Sequence, residues 1–61
     1  MNTMRLLCCV VEKYTLKPLS ETFEIDCHSP HHAVNILEEK TGIKIDGTTN
    51  AMDWILVKEL A

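Results

Sequence analysis

The chain of 61 residues has room for one domain, 1–61, and a domain of this size buries only about 60% of its unfolded surface. An apolar content of 46% argues against disorder. The formal net charge is −3 and the basic residues are scattered singly, which argues against direct binding to nucleic acid or to an anionic membrane.

An apolar run near the N-terminus predicts a first strand over about residues 4–14. The residues from Leu6 to Val11 do not alternate with polar ones, so this strand would be apolar on both faces. That pattern is typical of a strand buried in the middle of a sheet. Because so short a chain rarely covers both faces of a sheet, we expect another protein molecule to pack on one of them.

A second strand is predicted over residues 21–27, where apolar and polar residues alternate. Pro18 places a loop between the two strands, because proline cannot donate a hydrogen bond to a ladder. The strands are close enough in sequence to form an antiparallel hairpin, and we expect Val10 to pair with Glu24.

A helix is predicted over residues 30–41. Ser29 is a preferred N-cap residue, Pro30 suits the first helical position, and Gly42 suits the position just after the helix. The apolar stripe of this helix consists of Ala33, Val34, Leu37 and Thr41.

The last predicted element is a strand from about Met52 to Leu60. Ile43–Ile45 forms either a very short strand or an anchor for the end of the helix. A right-handed crossover places the last strand beside the first. The predicted fold is therefore α+β, with the order ββαβ, a three- to four-stranded, mainly antiparallel sheet of strand order 2-1-3, and one helix on one face.

The face of the sheet without the helix is predicted to be a protein interface, either in a homodimer or with another protein partner. The last strand must add either Trp54 and Leu56 or Ile55 and Val57 to this face. A slip of one residue in the hairpin would exchange the two faces of the first strand. The predicted interface residues are Met4, Leu6, Cys8, Val10, Trp54 and Leu56.

Cysteine and histidine cluster between Cys27 and His32, and zinc binds both residue types. The spacing matches no metal motif, since the chain has no Cys-x-x-Cys pair and His31 and His32 would diverge by about 100° on a helix. We therefore predict no metal and no cofactor. A metal-stapled or redox-responsive protein that uses Cys27 and the histidines is the alternative function.

No catalytic residue is predicted. A nucleophile needs a base within reach, but Cys27 and His28 would point to opposite faces of a strand. The three cysteines, an odd number, favour reduced thiols and a cytoplasmic location. The acidic residues suggest a second idea, a surface that imitates DNA, although lysines dilute them. These residues are Glu21, Glu24, Asp26, Glu38, Glu39, Asp46, Asp53 and Glu59.

The order of elements resembles that of small phage-encoded inhibitors of host enzymes. This resemblance rests on the order of four segments, Leu6–Val11, Phe23–Cys27, Ser29–Thr41 and Trp54–Val57. Two groups are similar: the dimeric uracil-DNA glycosylase inhibitors, and small anti-CRISPR proteins with a helix on an antiparallel sheet. The resemblance implies a small dimeric module that inhibits or bridges a larger protein of host defence or DNA repair. A third hypothesis is that the protein is an accessory subunit of a larger assembly.

Overall fold

The computed structural model describes residues 2–60. Three strands, β1 (Met4–Glu12), β2 (Phe23–Cys27) and β3 (Asn50–Glu59), and one helix, α1 (Pro30–Thr41), follow one another in the order ββαβ. The strands form one antiparallel sheet in the order β2-β1-β3. The predicted α+β class and strand order are confirmed.

The hydrophobic core lies between α1 and one face of the sheet. The helix packs against β1 and β2 and touches β3 very little. Its buried residues, Ala33 and Leu37, belong to the apolar stripe predicted from the sequence. The cluster of buried residues beneath the helix is Leu6, Cys8, Val10, Ile25, Cys27, Ala33 and Leu37, and Val11 is buried outside this cluster.

Both ends of α1 are capped as predicted. The backbone of Ser29 is extended (φ −161°, ψ 163°), and its hydroxyl accepts a hydrogen bond of 3.1 Å from the N–H of His32. Gly42 is left-handed, with φ 72°, and its N–H donates to the carbonyl of Glu38 at 2.8 Å. A side chain would strain that conformation, which is why glycine suits this position.

The predicted hairpin register is wrong. Glu24 pairs with Leu7 rather than with Val10, a shift of three residues. The reason is that the chain after β1 first runs back along it. There, the N–H of Leu19 donates to the carbonyl of Val10 at 2.8 Å, and the N–H of Val10 donates to the hydroxyl of Ser20 at 3.0 Å. Those contacts take the place where β2 was expected to begin pairing.

A shift by an odd number of residues exchanges the two faces of β1. The prediction that Leu6, Cys8 and Val10 lie on the uncovered face is therefore wrong, because all three are buried in the core, at most 1% exposed. Met4 is half-buried and packs against the same core. The uncovered face, called here the helix-free face, carries other residues of β1, among them Arg5, Leu7 and Cys9.

The segment Ile43–Ile45 forms no strand, so the fourth strand that the sequence allowed is absent from residues 2–60. Instead the segment anchors the end of the helix, which was the other reading. The N–H of Ile45 donates to the carboxylate of Glu38 at 2.7 Å. The side chains of Ile43 and Ile45 pack against the core.

A tight turn at Asp46 and Gly47 leads into β3. One carboxylate oxygen of Asp46 accepts hydrogen bonds from the N–H groups of Thr49 and Thr48, at 3.0 and 2.9 Å. These bonds, led by that from Thr49, hold the pKa of Asp46 at about 2. The carboxylate therefore stays ionised, and the turn stays capped, from neutral pH well into the acidic range.

Candidate protein interface

The C-terminal half of β3 is exposed. Among the described residues, β3 pairs with β1 on one side only, so it is an edge strand of the sheet. Because α1 lies over β1 and β2, both faces of β3 are open to solvent. Four consecutive residues, called here the β3 apolar segment, are Trp54 (42% exposed), Ile55 (62%), Leu56 (50%) and Val57 (48%).

The β3 apolar segment presents side chains on both faces of the sheet. Trp54 lies opposite Cys8, a core residue, and so points to the side of the helix. Ile55 lies opposite Leu7 and so points to the helix-free face. Trp54 and Leu56 are exposed, but their predicted placement on the helix-free face is wrong. The helix simply does not reach far enough to cover them.

On the helix side, a shallow groove runs between α1 and β3. Val34 of the helix and Ile45 line one part of it, and Met52 and Trp54 of β3 line another. The lining of this groove is mainly apolar and also includes His31 and Asp46. Two of its lining residues, Ile45 and Met52, also pack against the core.

The helix-free face is divided into a polar and an apolar half. On the β2 side, Arg5 forms a paired hydrogen bond with the carboxylate of Asp26, at 2.8 and 3.2 Å. This contact lowers the pKa of Asp26 and raises that of Arg5. On the β3 side, Leu7, Cys9 and Ile55 line a small depression, and Asp53 also lines it. The apolar surface of both faces is therefore concentrated at β3.

A bulge in β3 determines which face of the sheet Lys58 occupies. Leu6 pairs with Leu56, while Arg5 pairs with Lys58, so Val57 is an extra residue in the strand. As a result Lys58 lies opposite Arg5, on the helix-free face. Asp53, opposite Cys9, lies on the same face. Two opposite charges thus flank Ile55 on one face of the edge strand.

The histidines at the helix start have structural contacts. The rings of His28 and His32 stack, with centroids 5.3 Å apart and an interplanar angle of 9°. The Nδ1 atom of His32 accepts a hydrogen bond of 3.1 Å from the backbone N–H of His28. Within residues 2–60, no group of three or more His, Cys, Asp or Glu side chains is arranged to hold a metal ion.

The three cysteine thiols, all within the described residues, are free. Cys8 and Cys27 are buried in the core, and Cys9 is half-buried on the helix-free face. Burial raises the pKa of Cys8 to about 11 and also raises that of Cys27. Both buried thiols therefore stay protonated at neutral pH, the form that reacts least.

The sequence pattern predicted only part of this surface. Ile55 and Val57 were left as the alternative to Trp54 and Leu56, whereas all four residues are exposed. The signal was the apolar run itself, which has no polar alternation on either face.

No protein-family profile, curated protein or solved structure matches this chain. In the part of the chain described, no helix is long and apolar enough to cross a membrane.

Proposed function

We propose that this protein is a small, non-catalytic, dimeric protein-binding module that inhibits or bridges a larger protein. One observation carries the proposal: the β3 apolar segment, four adjacent large apolar residues that are 42–62% exposed on an edge strand. Single exposed apolar residues are normal on a protein surface, but four consecutive ones along an edge strand are typical of a segment that contacts another chain.

The energy available at this surface is large for so small a domain. Fully burying a large apolar side chain contributes about 1.5–3 kcal/mol, so each half-exposed residue of the β3 apolar segment still has on the order of 1 kcal/mol to gain. The free energy gained by burying all four residues is a sizeable share of the roughly 5–15 kcal/mol by which a typical domain is stable. A partner that covers them is the simplest way to recover that energy.

The side chains with the most reactive chemistry support a non-catalytic role, because they serve the fold. Cys8 and Cys27 lie in the core, and His32 accepts a hydrogen bond from the chain beside the helix start. The free thiols are consistent with a reducing, cytoplasmic setting. The inhibitory role itself rests on the resemblance in element order to small phage inhibitors, which act by protein contact.

Affinity capture from cells of the natural source tests this proposal. Wild type, Ile55→Lys and Tyr14→Lys would be compared, since both positions are exposed and apolar but Tyr14 (80% exposed) lies in the turn after β1 and outside the β3 apolar segment. We expect wild type and Tyr14→Lys to retain the same larger protein. Ile55→Lys should weaken its binding about tenfold or more, measured by calorimetry on the purified pair.

Circular dichroism would show that both variants keep the fold, as their exposure implies. Two results would contradict the proposal. One is that wild type retains no protein in stoichiometric amount. The other is that Ile55→Lys binds the retained protein as tightly as Tyr14→Lys does.

A further inference from the structure

We infer that a second copy of this chain pairs antiparallel with the free edge of β3, so that two three-stranded sheets join into one. This inference rests on the proposed function, because it describes the dimer that the proposed function includes. The backbone of the edge strand, the symmetry of such a pairing and the charges that flank Ile55 all support this pairing.

The backbone of β3 offers hydrogen-bonding groups at the sheet edge. The N–H of Lys13 donates to the carbonyl of Thr49 at 3.0 Å, in the same register that pairs Glu12 with Asn50. In an antiparallel ladder the residues alternate between facing the neighbouring strand and facing away. The N–H and C=O groups of Met52, Trp54 and Leu56 therefore point outward, where another strand can bond to them.

Symmetry restricts how two identical strands can pair. A two-fold axis that relates antiparallel edge strands is perpendicular to the sheet, so each residue stays on its own face in both copies. Residues directly opposite one another share a face, so Ile55 can lie opposite Ile55 of the second copy. In that register Trp54 lies opposite Leu56 of the second copy on the helix side, and both helices lie on one side of the joined sheet.

The charges of β3 favour this register. When the two-fold axis passes between the two Ile55 residues, Asp53 lies two residues before Ile55 in one copy. It then lies opposite the position two residues after Ile55 in the other copy. That position is the bulge of Val57 and Lys58, and Lys58 shares the face of Asp53. Two-fold symmetry makes this carboxylate–ammonium contact twice. A register centred on Leu56, counted with the same bulge, would instead place Asp53 opposite the position after Glu59, so the contact between Asp53 and Lys58 would be lost.

The second copy is thus the occupant that the edge fits. The strand is apolar at its centre and carries opposite charges on the two sides of that centre, so it complements itself when it is turned around. Pairing would also cover the helix side of the β3 apolar segment, where Trp54 would gain a neighbour in place of solvent.

Disulfide trapping tests the register. Residues in a non-hydrogen-bonded pair have Cα atoms about 4.5 Å apart, within the range of about 4.4–6.8 Å that a disulfide spans. Under mild oxidation, Ile55→Cys should therefore form a covalent dimer. Wild type and Glu59→Cys, an exposed position on the same strand, should remain uncrosslinked. Equal crosslinking of Ile55→Cys and Glu59→Cys would overturn the register.

Charge reversal provides a second, independent test, because Asp53 and Lys58 are exposed and their substitution leaves the core intact. Asp53→Lys and Lys58→Asp should each weaken dimerisation about tenfold in sedimentation experiments, since each brings like charges together. The double variant exchanges the two charges and should restore wild-type dimerisation. Single variants that dimerise as wild type does would overturn the inference.

The outcomes separate this inference from the proposed function. A dimer that forms without response to charge reversal, and without crosslinking of Ile55→Cys, overturns the β3 pairing and leaves the protein-binding module standing. A chain that stays monomeric while binding a larger protein also overturns the pairing. A dimer that passes both tests but binds no larger protein supports the pairing and contradicts the inhibitory or bridging role.

Discussion

At the scale of single residues, the side chains that stand out in the sequence hold the helix start together. The hydroxyl of Ser29 caps the N–H of His32, and the ring of His32 in turn accepts from the N–H of His28. Two backbone donors that would otherwise lack partners are thereby satisfied. The cluster of cysteine and histidine noticed in the sequence thus has a structural role in the transition from β2 to α1.

Ser29→Ala should lower the free energy of unfolding by roughly 1 kcal/mol, the usual cost of losing an N-cap. The hydrogen bond from the N–H of His32 would be lost, while the core remains unchanged. Urea denaturation of both proteins measures the difference. Ser29→Thr is the control, since it retains the hydroxyl. A Ser29→Ala protein as stable as wild type would contradict the capping role.

The buried thiol of Cys8 should make the protein less stable at alkaline pH. The ordinary pKa is 9.0, and burial raises that of Cys8 to about 11 in the folded chain. Folding therefore favours the neutral thiol. Its contribution is complete below pH 9 and is lost as the pH rises from 9 towards 11. Cys27 has a shift in the same direction.

Cys8→Val, which keeps an apolar side chain but cannot ionise, isolates this effect. Urea denaturation of both proteins across the alkaline range would show wild type losing stability relative to the variant above pH 9, the ordinary pKa of the thiol. Parallel stability curves would contradict the assignment of a buried, protonated thiol at Cys8.

At the scale of elements, the sequence predicted what local chemistry determines. Both ends of α1 were predicted because Ser29 and Gly42 act on the backbone beside them. The strand order was predicted because the crossover rule limits the choices. The register of the β1–β2 hairpin was not predicted, because it depends on the hydrogen bonds of Leu19 and Ser20 with Val10. No periodicity in the sequence reveals that contact.

The same contact explains why the candidate interface was only half predicted. Because the observed register differs from the predicted one, Leu6 and Val10 lie in the core and Leu7 lies on the helix-free face. Trp54 and Leu56 lie on the helix side because their partners on β1 lie there. They remain exposed because α1 does not extend over β3, which depends on packing and not on sequence pattern.

Alanine substitutions at neighbouring positions test the assigned faces of β1. Leu6 is 0% exposed, and Leu6→Ala should lower the free energy of unfolding by about 2–5 kcal/mol. Leu7 is half-buried on the helix-free face, so Leu7→Ala should cost about 1 kcal/mol. Urea denaturation gives both values. A larger cost for Leu7→Ala would show that the faces are reversed.

At the scale of the whole molecule, one helix covers two strands of a three-stranded sheet. The third strand, β3, therefore carries both an unpaired edge and an exposed apolar segment. Natural proteins usually shorten, charge or cover such an edge. In the proposed dimer, each β3 covers the edge of the other, and Asp53 and Lys58 define the pairing instead of preventing it.

Hydrogen exchange of the β3 backbone, followed by NMR as the protein concentration rises, measures directly whether a second copy pairs with the edge of β3. The N–H groups of Trp54 and Leu56 point away from β1, whereas that of Ile55 points towards it. We expect the N–H groups of Trp54 and Leu56 to become protected as the dimer forms, while that of Ile55 is protected at every concentration. Fast exchange of Trp54 and Leu56 at every concentration, beside a protected Ile55, would contradict this pairing.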